Sequence, residues 1–368
     1  MEEEMAENTR KFNFYAGPAT LPLEVLQQIK KEIVDFQGMG MSLIETSHRS
    51  KDYDDVHNTA IDLFKKLLGL PENYSVLFLG GGATLQFSMV PMNLMGSGGS
   101  CDFVVSGSWA NKALSDAGKI GTTNVLFDGK DGGYTSLPAP DDVKPSPGSS
   151  YVHITSNETI GGVQWKEWPD TGDVPLVVDM SSDILSKPLP VERFGLIYAG
   201  AQKNLGPAGV TVVIIRNDLI ERGGEELTAY LSYKVHAGKN SLYNTPPVFS
   251  IWALQLVLQA LQDNGGLDAV AKRNREKADL LYSAIDSSGG FYASPVDSKV
   301  RSNMNVVFRL PSEELEKDFV AAAAEQGMIG LKGHRSVGGI RASIYNSFPR
   351  EGVEKLVDFM KTFQNKKS

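Results

Sequence analysis

Three short segments put reactive or ligand-binding residue types where apolar runs end. The first, Leu79-Gly80-Gly81-Gly82-Ala83-Thr84-Leu85-Gln86, passes from a strand pattern through three glycines into a helix pattern. Such a junction bares backbone N–H groups and the positive end of a helix dipole, which suits a phosphate, and Thr84 adds a hydroxyl donor. A plain strand-to-helix turn needs the same small residues, and neither a Walker loop nor Gly-x-Gly-x-x-Gly is present. The second, Pro175-Leu176-Val177-Val178-Asp179-Met180-Ser181-Ser182, ends an apolar run on an acid. Ligands of open α/β sheets bind at the carboxyl ends of strands. An acid there could bind a metal, accept a proton or pair with a protonated ring nitrogen; it could equally cap a turn. The third, Tyr198-Ala199-Gly200-Ala201-Gln202-Lys203-Asn204-Leu205-Gly206-Pro207, sets Lys203 among small and apolar residues. A lysine so placed sits at a sharp turn or is partly desolvated, and desolvation lowers its pKa toward nucleophilic competence. Anchor, acid and amine together are the parts of a pyridoxal phosphate site.

Three strand ends on one surface demand a sheet. Short apolar runs at Ser75 to Leu79, Phe103 to Val105, Tyr151 to Ile154, Leu176 to Val178, Leu196 to Tyr198 and Val210 to Ile215 alternate with amphipathic stretches. This is the pattern of an α/β fold whose strands are covered on both faces. The last two runs are close enough to pair antiparallel. Val25, Leu26, Ile29 and Ile33 predict a helix from Leu23 to Phe36 that Gly38 stops, and Val56, Ala60, Leu63, Phe64 and Leu67 predict another ending near Gly69. From Pro246 the texture changes. Helical patterns at Phe249 to Leu261 and Leu267 to Ile285 lead to a strand at Met304 to Phe308, a helix near Glu313 to Glu325, a strand around Ala342 to Tyr345 and a final helix.

A length of 368 residues exceeds what one core usually supports, so two lobes are expected, dividing near Gly265. A polar leader, residues 1–12, precedes them. With 36 Lys+Arg against 44 Asp+Glu the formal charge is −8, which excludes a broad nucleic-acid-binding surface. No apolar run approaches the ~20 residues that span a bilayer, so no membrane partner is expected. Cys101 is the single cysteine, which excludes an intrachain disulfide and a Cys-based zinc site, and no metal-ligand cluster is visible. The acidic N-terminus has no secretion-signal pattern, and a cytoplasmic location is expected.

The chain resembles the phosphoserine aminotransferase family of fold-type I pyridoxal phosphate enzymes. The resemblance rests on Asn13-Phe14-x-x-Gly17-Pro18-Ala19, Ser47-His48-Arg49, Gly200-Ala201-Gln202-Lys203-Asn204, Asn244-Thr245-Pro246-Pro247 and Lys332-Gly333-His334-Arg335-Ser336-Val337-Gly338-Gly339-Ile340-Arg341-Ala342-Ser343. It spans roughly residues 12–365 in the family's order. It implies a large domain, residues 21–265, with a mostly parallel seven-stranded sheet flanked by helices, and a smaller α+β domain from 13–20 and 266–368. It also implies a homodimer with active sites at the interface.

By that resemblance Lys203 holds the cofactor covalently and moves the substrate proton, and Asp179 keeps the pyridine nitrogen protonated. Trp109 stacks on the ring, although alone it would be read as packing. Ala83, Thr84 and Gln202 take the cofactor phosphate, Thr159 the ring hydroxyl, and Asn244 and Thr245 reach the phosphate of the neighbouring subunit. Arg341 binds the substrate carboxylate. His334 and Arg335, with His48 and Arg49 of the partner subunit, bind its phosphate or the side-chain carboxylate of glutamate. A dianion and a carboxylate need multi-donor cations at two places. Two His-Arg pairs in a chain of five histidines fit that need better than scattered surface ion pairs do. The implied substrates are phosphoserine, glutamate and their keto acids; 4-phosphohydroxythreonine stays open. Ala16 stands where some family members carry Ser, so no hydroxyl acts there. A cysteine desulfurase, the nearest rival of the same fold, needs a mobile cysteine in the second half of the chain, and Cys101 lies in the first.

Overall fold

The computed structural model describes residues 10–96, 98–223 and 226–367. Residues 1–9 of the expected leader lie outside the described residues. The principal elements are α1 (Leu23–Glu32), α2 (Lys51–Leu68), β1 (Tyr74–Leu79), α3 (Gly82–Leu94), β2 (Ser100–Val105), α4 (Ser108–Ala117), β3 (Thr122–Asp128), β4 (Ser149–Thr155), β5 (Leu176–Asp179), β6 (Phe194–Gly200), β7 (Thr211–Arg216), α5 (Val248–Asp263), α6 (Gly266–Asp286), β8 (Asn305–Phe308), α7 (Glu313–Glu325), β9 (Ile340–Ser343) and α8 (Arg350–Lys367).

Strands β1 to β7 form one seven-stranded sheet in the order β1-β7-β6-β5-β4-β2-β3. Only β7 runs antiparallel to its neighbours, β1 and β6; the remaining pairings are parallel. The close pair of runs at Leu196 and Val210 is thus antiparallel, as its spacing allowed. Burial on both faces explains why β4 to β7 read as continuous apolar runs. Strand β3 escaped that reading because it is the half-exposed edge strand, with polar Thr122, Thr123 and Asn124 in its first half. Cys101 lies inside β2 rather than ahead of it.

Helix α1 ends at Glu32, four residues before the expected Phe36. The buried Phe36 instead begins a separate 3-10 turn in which Gln37 takes φ +51, a conformation no α-helix continues. Helix α2 follows its sequence signals. Ser50 Oγ accepts the Tyr53 N–H, Asp52 and Asp54 sit in the first turn, Lys65 and Lys66 in the last, and Gly69 caps it at φ +61.

In the smaller lobe β8 and β9 pair antiparallel, and Phe12–Asn13 pairs parallel with Met328–Ile329. Ordered pairing therefore begins at Phe12, within the span expected as leader. Phe14, Leu281, Phe308, Phe319, Ile340, Leu356 and Met360 fill the core of this lobe. Leu267 and Val270, in the first turns of α6, pack into the core beneath the large sheet instead.

Buried Lys277 of α6 holds the segment between β9 and α8. Its Nζ donates to the carbonyls of Ile344 at 3.0 Å, Tyr345 at 2.6 Å and Phe348 at 3.0 Å. That segment reaches the N-terminal stretch and the Lys203 turn: Tyr345 Oη donates to the Ala16 carbonyl at 2.7 Å, and the Asn346 N–H donates to Asn204 Oδ1 at 3.0 Å, beside Lys203. Replacing Lys277 by Met keeps the buried stem and strands three carbonyls. Each lost bond to a charged donor is worth about 1.5 kcal/mol or more, so Lys277→Met should lower unfolding free energy by at least ~3 kcal/mol in urea. A loss under ~1 kcal/mol would show that the three bonds hold nothing in place.

Candidate active site

Strands β1, β5 and β6 run the same way, so their carboxyl ends bring the three strand-end candidates to one edge of the sheet. β1 passes through Gly81, at φ +84, into α3. A side chain at Gly81 would also strike the Cβ of Leu85 at 2.6 Å, so the turn requires glycine twice over. No side chain caps α3, leaving the first-turn N–H groups around Ala83 and Thr84 for a ligand. β5 ends on Asp179, and β6 ends at Gly200, three residues before Lys203.

Lys203 Nζ donates to Thr159 Oγ1 at 2.6 Å and lies 5.3 Å from the centre of the Trp109 ring. Burial lowers its pKa, Asp179 and Glu158 oppose that, and Arg341 adds to the lowering. Asp179 is buried, and its Oδ1 accepts the Ser181 N–H at 2.9 Å. Burial raises its pKa against the pull of Lys203. Arg341, on β9, donates from Nη1 to the Thr159 carbonyl at 3.4 Å, and burial lowers its pKa. Behind Lys203 the N-terminal stretch packs closely: a Cβ on Gly17 would sit 3.4 Å from Lys203 Cγ, and the Ala19 N–H donates to the Gln202 carbonyl at 2.9 Å.

His334 and Arg335 occupy a turn of the smaller lobe that is fixed from behind. Arg309 Nε pairs with Glu316 at 2.7 Å, Arg309 Nη1 donates to the Val337 carbonyl at 2.6 Å, and Glu316 Oε2 accepts the Gly339 N–H at 3.1 Å. The pKa of His334 is lowered by burial and then by the positive charges of Arg341, Arg335 and Lys112. His334 thus lies within electrostatic reach of Arg341 and Lys112. Lys112 lies 4.2 Å from the Trp109 ring centre, on the next turn of α4.

The structure thus brings together Lys203, Thr159, Trp109, Asp179, Arg341 and His334. It does not bring in His48, Arg49, Asn244 or Thr245. The first two occupy the turn before α2, where Ser47 Oγ accepts the Arg49 N–H at 3.2 Å. The other two are exposed ahead of α5, with Asn244 Nδ2 donating to the Thr245 carbonyl at 3.0 Å. Among the described residues no hydrogen bond or ion pair joins these four to Lys203 or Arg341.

Sequence reasoning passed over Glu158 and Lys112. Glu158 is 1% exposed; its Oε1 accepts the Ala110 N–H at 3.0 Å and its Oε2 the Trp109 N–H at 3.2 Å. Burial pushes its carboxyl up to about 7 despite these two bonds and Lys203, and Asp179 adds to the rise. No sequence signal separates it from a surface acid. Lys112, by contrast, stands at helical spacing from Trp109 and was open to inference.

A pyridoxal phosphate fits this set. Trp109 Nε1 and Arg341 Nε are buried nitrogens without a hydrogen-bond partner, beside a desolvated amine, a buried acid and an uncapped helix start. Cys101 offers no competing chemistry, since burial raises its thiol to about 11 on β2, next to the edge strand.

Comparison with known proteins agrees with this reading. The family model for class-V aminotransferases matches residues 11–356. A phosphoserine aminotransferase of Lysinibacillus sphaericus is 55% identical over 357 residues, 97% of this chain and 99% of the relative. The solved phosphoserine aminotransferase from Bacillus circulans subsp. alkalophilus superposes with a TM-score of 0.96 at 52% identity, covering 98% of this chain and 99% of that one. A pyridoxal phosphate-bound phosphoserine aminotransferase from Trichomonas vaginalis gives 0.88 at 36% identity, covering 96% and 100%.

The raised carboxyl of Glu158 has a stability consequence. Its unfolded pKa is about 4.3, so between that value and about 7 the folded protein holds a proton that the unfolded chain releases. Its contribution is present below the unfolded pKa and is lost as pH rises through the folded one. In urea unfolding of the cofactor-free protein, the stability of the wild type relative to Glu158→Gln should fall by up to about 1.4 kcal/mol per unit between pH 5 and 7. A pH-independent difference would show that the carboxyl titrates normally.

Proposed function

The chain belongs to the phosphoserine aminotransferases of the class-V aminotransferase family, and we propose that it transfers the amino group of L-glutamate to 3-phosphohydroxypyruvate, yielding 2-oxoglutarate and O-phospho-L-serine for serine biosynthesis. The reaction runs in both directions, and pyridoxal phosphate is the cofactor. The observation that carries this reading is the Lys203–Thr159 pair, set in one cleft with Asp179, Trp109 and Arg341.

When bound, the cofactor supplies an electron sink for negative charge at the substrate Cα. Lys203 holds it and, with a pKa lowered by burial, its Nζ removes and returns the Cα proton. Asp179 holds a proton on the pyridine nitrogen; a carboxylate in so dry a place is held ionised by a cation, and a protonated ring is one. Trp109 walls the ring, Thr159 holds its hydroxyl, and Ala83, Thr84 and Gln202 receive the phosphate at the start of α3. Arg341 takes the substrate carboxylate. The lobes divide this work near Gly265: residues 21–265 hold the cofactor, while 13–20 and 266–368 carry Arg341 and the His334-Arg335 turn.

The four residues that stand apart complete the site from a second copy. His48 and Arg49 of the partner subunit join His334 and Arg335 at the substrate phosphate, and Asn244 and Thr245 of the partner subunit reach the cofactor phosphate. Large apolar side chains are exposed close to both pairs in sequence, Met41 and Ile44 before one, Tyr243 and Phe249 around the other, as a homodimer interface requires. The enzyme so assembled works in the cytoplasm.

Steady-state turnover with phosphoserine and with serine as amino donors tests the substrate. Loss of the dianion's charge-assisted bonds should lower kcat/KM for serine by roughly a hundredfold or more. Comparable values would remove the role of His334 and Arg335. Subunit mixing tests the shared site. Lys203→Ala and Arg49→Ala homodimers should each be nearly inactive, and random exchange between them should restore about a quarter of wild-type activity, because half the dimers then hold one intact site. No recovery would mean that Arg49 serves its own subunit.

A further inference from the structure

Trp109 approaches Lys203 from α4, a ten-residue helix whose N-cap position is Gly107, which has no side chain to cap it. The cap comes from elsewhere in the chain. Glu158 sends its buried carboxyl to the first turn and takes the N–H groups of both Trp109 and Ala110, one on each oxygen. The approach is close enough to require glycine at the N-cap: a Cβ on Gly107 would lie 2.3 Å from the Glu158 carboxyl carbon. Glu158 is itself held from several directions. Asn157 donates from Nδ2 to Ser182 Oγ and to Asn305 Oδ1, both at 2.8 Å, and Glu158 pairs with Val163 in a short antiparallel ladder. Thr159, the next residue, binds Lys203 through its hydroxyl and Arg341 through its carbonyl.

We infer that Glu158 is the positioning residue of Trp109: its carboxyl fixes the first turn of α4, and so the distance and tilt of the indole over the lysine, in register with Thr159. This inference rests on the reading of Trp109 as the wall of the cofactor site. Two backbone N–H groups clamped by one carboxyl leave the Trp109 Cα little freedom, and the indole inherits that rigidity through only two side-chain torsions. Gln at position 158 keeps one acceptor and turns an NH2 toward the other N–H, so the first turn must shift.

The test is a double-mutant cycle on cofactor binding. The full-length chain, stripped and titrated with pyridoxal 5'-phosphate, is compared as wild type, Glu158→Gln, Trp109→Phe and the double variant, with a thermal melt on each. Glu158→Gln should weaken the cofactor by roughly tenfold in the wild-type background and by less than about twofold in the Trp109→Phe background, because the effect travels through the indole. Equal weakening in both backgrounds would overturn the inference and leave Glu158 a general support. If Trp109→Phe alone leaves the affinity unchanged, the reading of Trp109 fails instead. Should Glu158→Gln not fold, Gly107→Ala displaces the same carboxyl from an extended backbone that accepts alanine, and the same cycle with Trp109→Phe decides the matter.

Discussion

Placing the Lys203 amine in a dry cleft beside two carboxylates is the constraint around which the other features are arranged. An amine removed from water loses its proton easily, while an acid removed from water holds one. Lys203 opposes the rise of each acid and they oppose its fall, Asp179 adds to the rise of Glu158, and Arg341 biases the balance toward a neutral amine. That balance requires fixed distances, and the fold supplies them. β5 and β6 are adjacent and parallel, pairing Asp179 with Tyr198 five residues before Lys203. The smaller lobe presses on the same turn through Asn346 and Asn204, and on the N-terminal stretch through Tyr345 and Ala16. The cleft is thus set by both lobes, and displacing either one alters the charge environment of one amine.

The charge of −8 and the anionic substrates are compatible because net charge averages over a surface, whereas recognition depends on a few placed groups. The positive charges of Arg341, Arg335 and Lys112 add to burial in lowering the pKa of His334.

What could be read from sequence follows from locality. Lys203 and Asp179 stood out because strand ends mark ligand positions and an ionisable residue there breaks an apolar run. The two-sided burial of β4 to β7 made their strands legible, and the edge position of β3 hid it. The first helix was overextended because the spacing of Ile33 and Phe36 suits a helix, and only the left-handed turn at Gln37 shows that the chain has already broken. Glu158 was illegible because its role depends on α4, almost fifty residues away, meeting it after folding. His48, Arg49, Asn244 and Thr245 were named by resemblance, and in a single chain they remain apart from Lys203.

Locating the lysine that carries the cofactor tests the central claim most directly. Borohydride reduction of the holoenzyme fixes the pyridoxyl group in place, and peptide mass spectrometry then reads its position. The account predicts one modified site, Lys203, at stoichiometry near one per chain. Modification centred on Lys112, or any other lysine, with Lys203 unmodified, would contradict it.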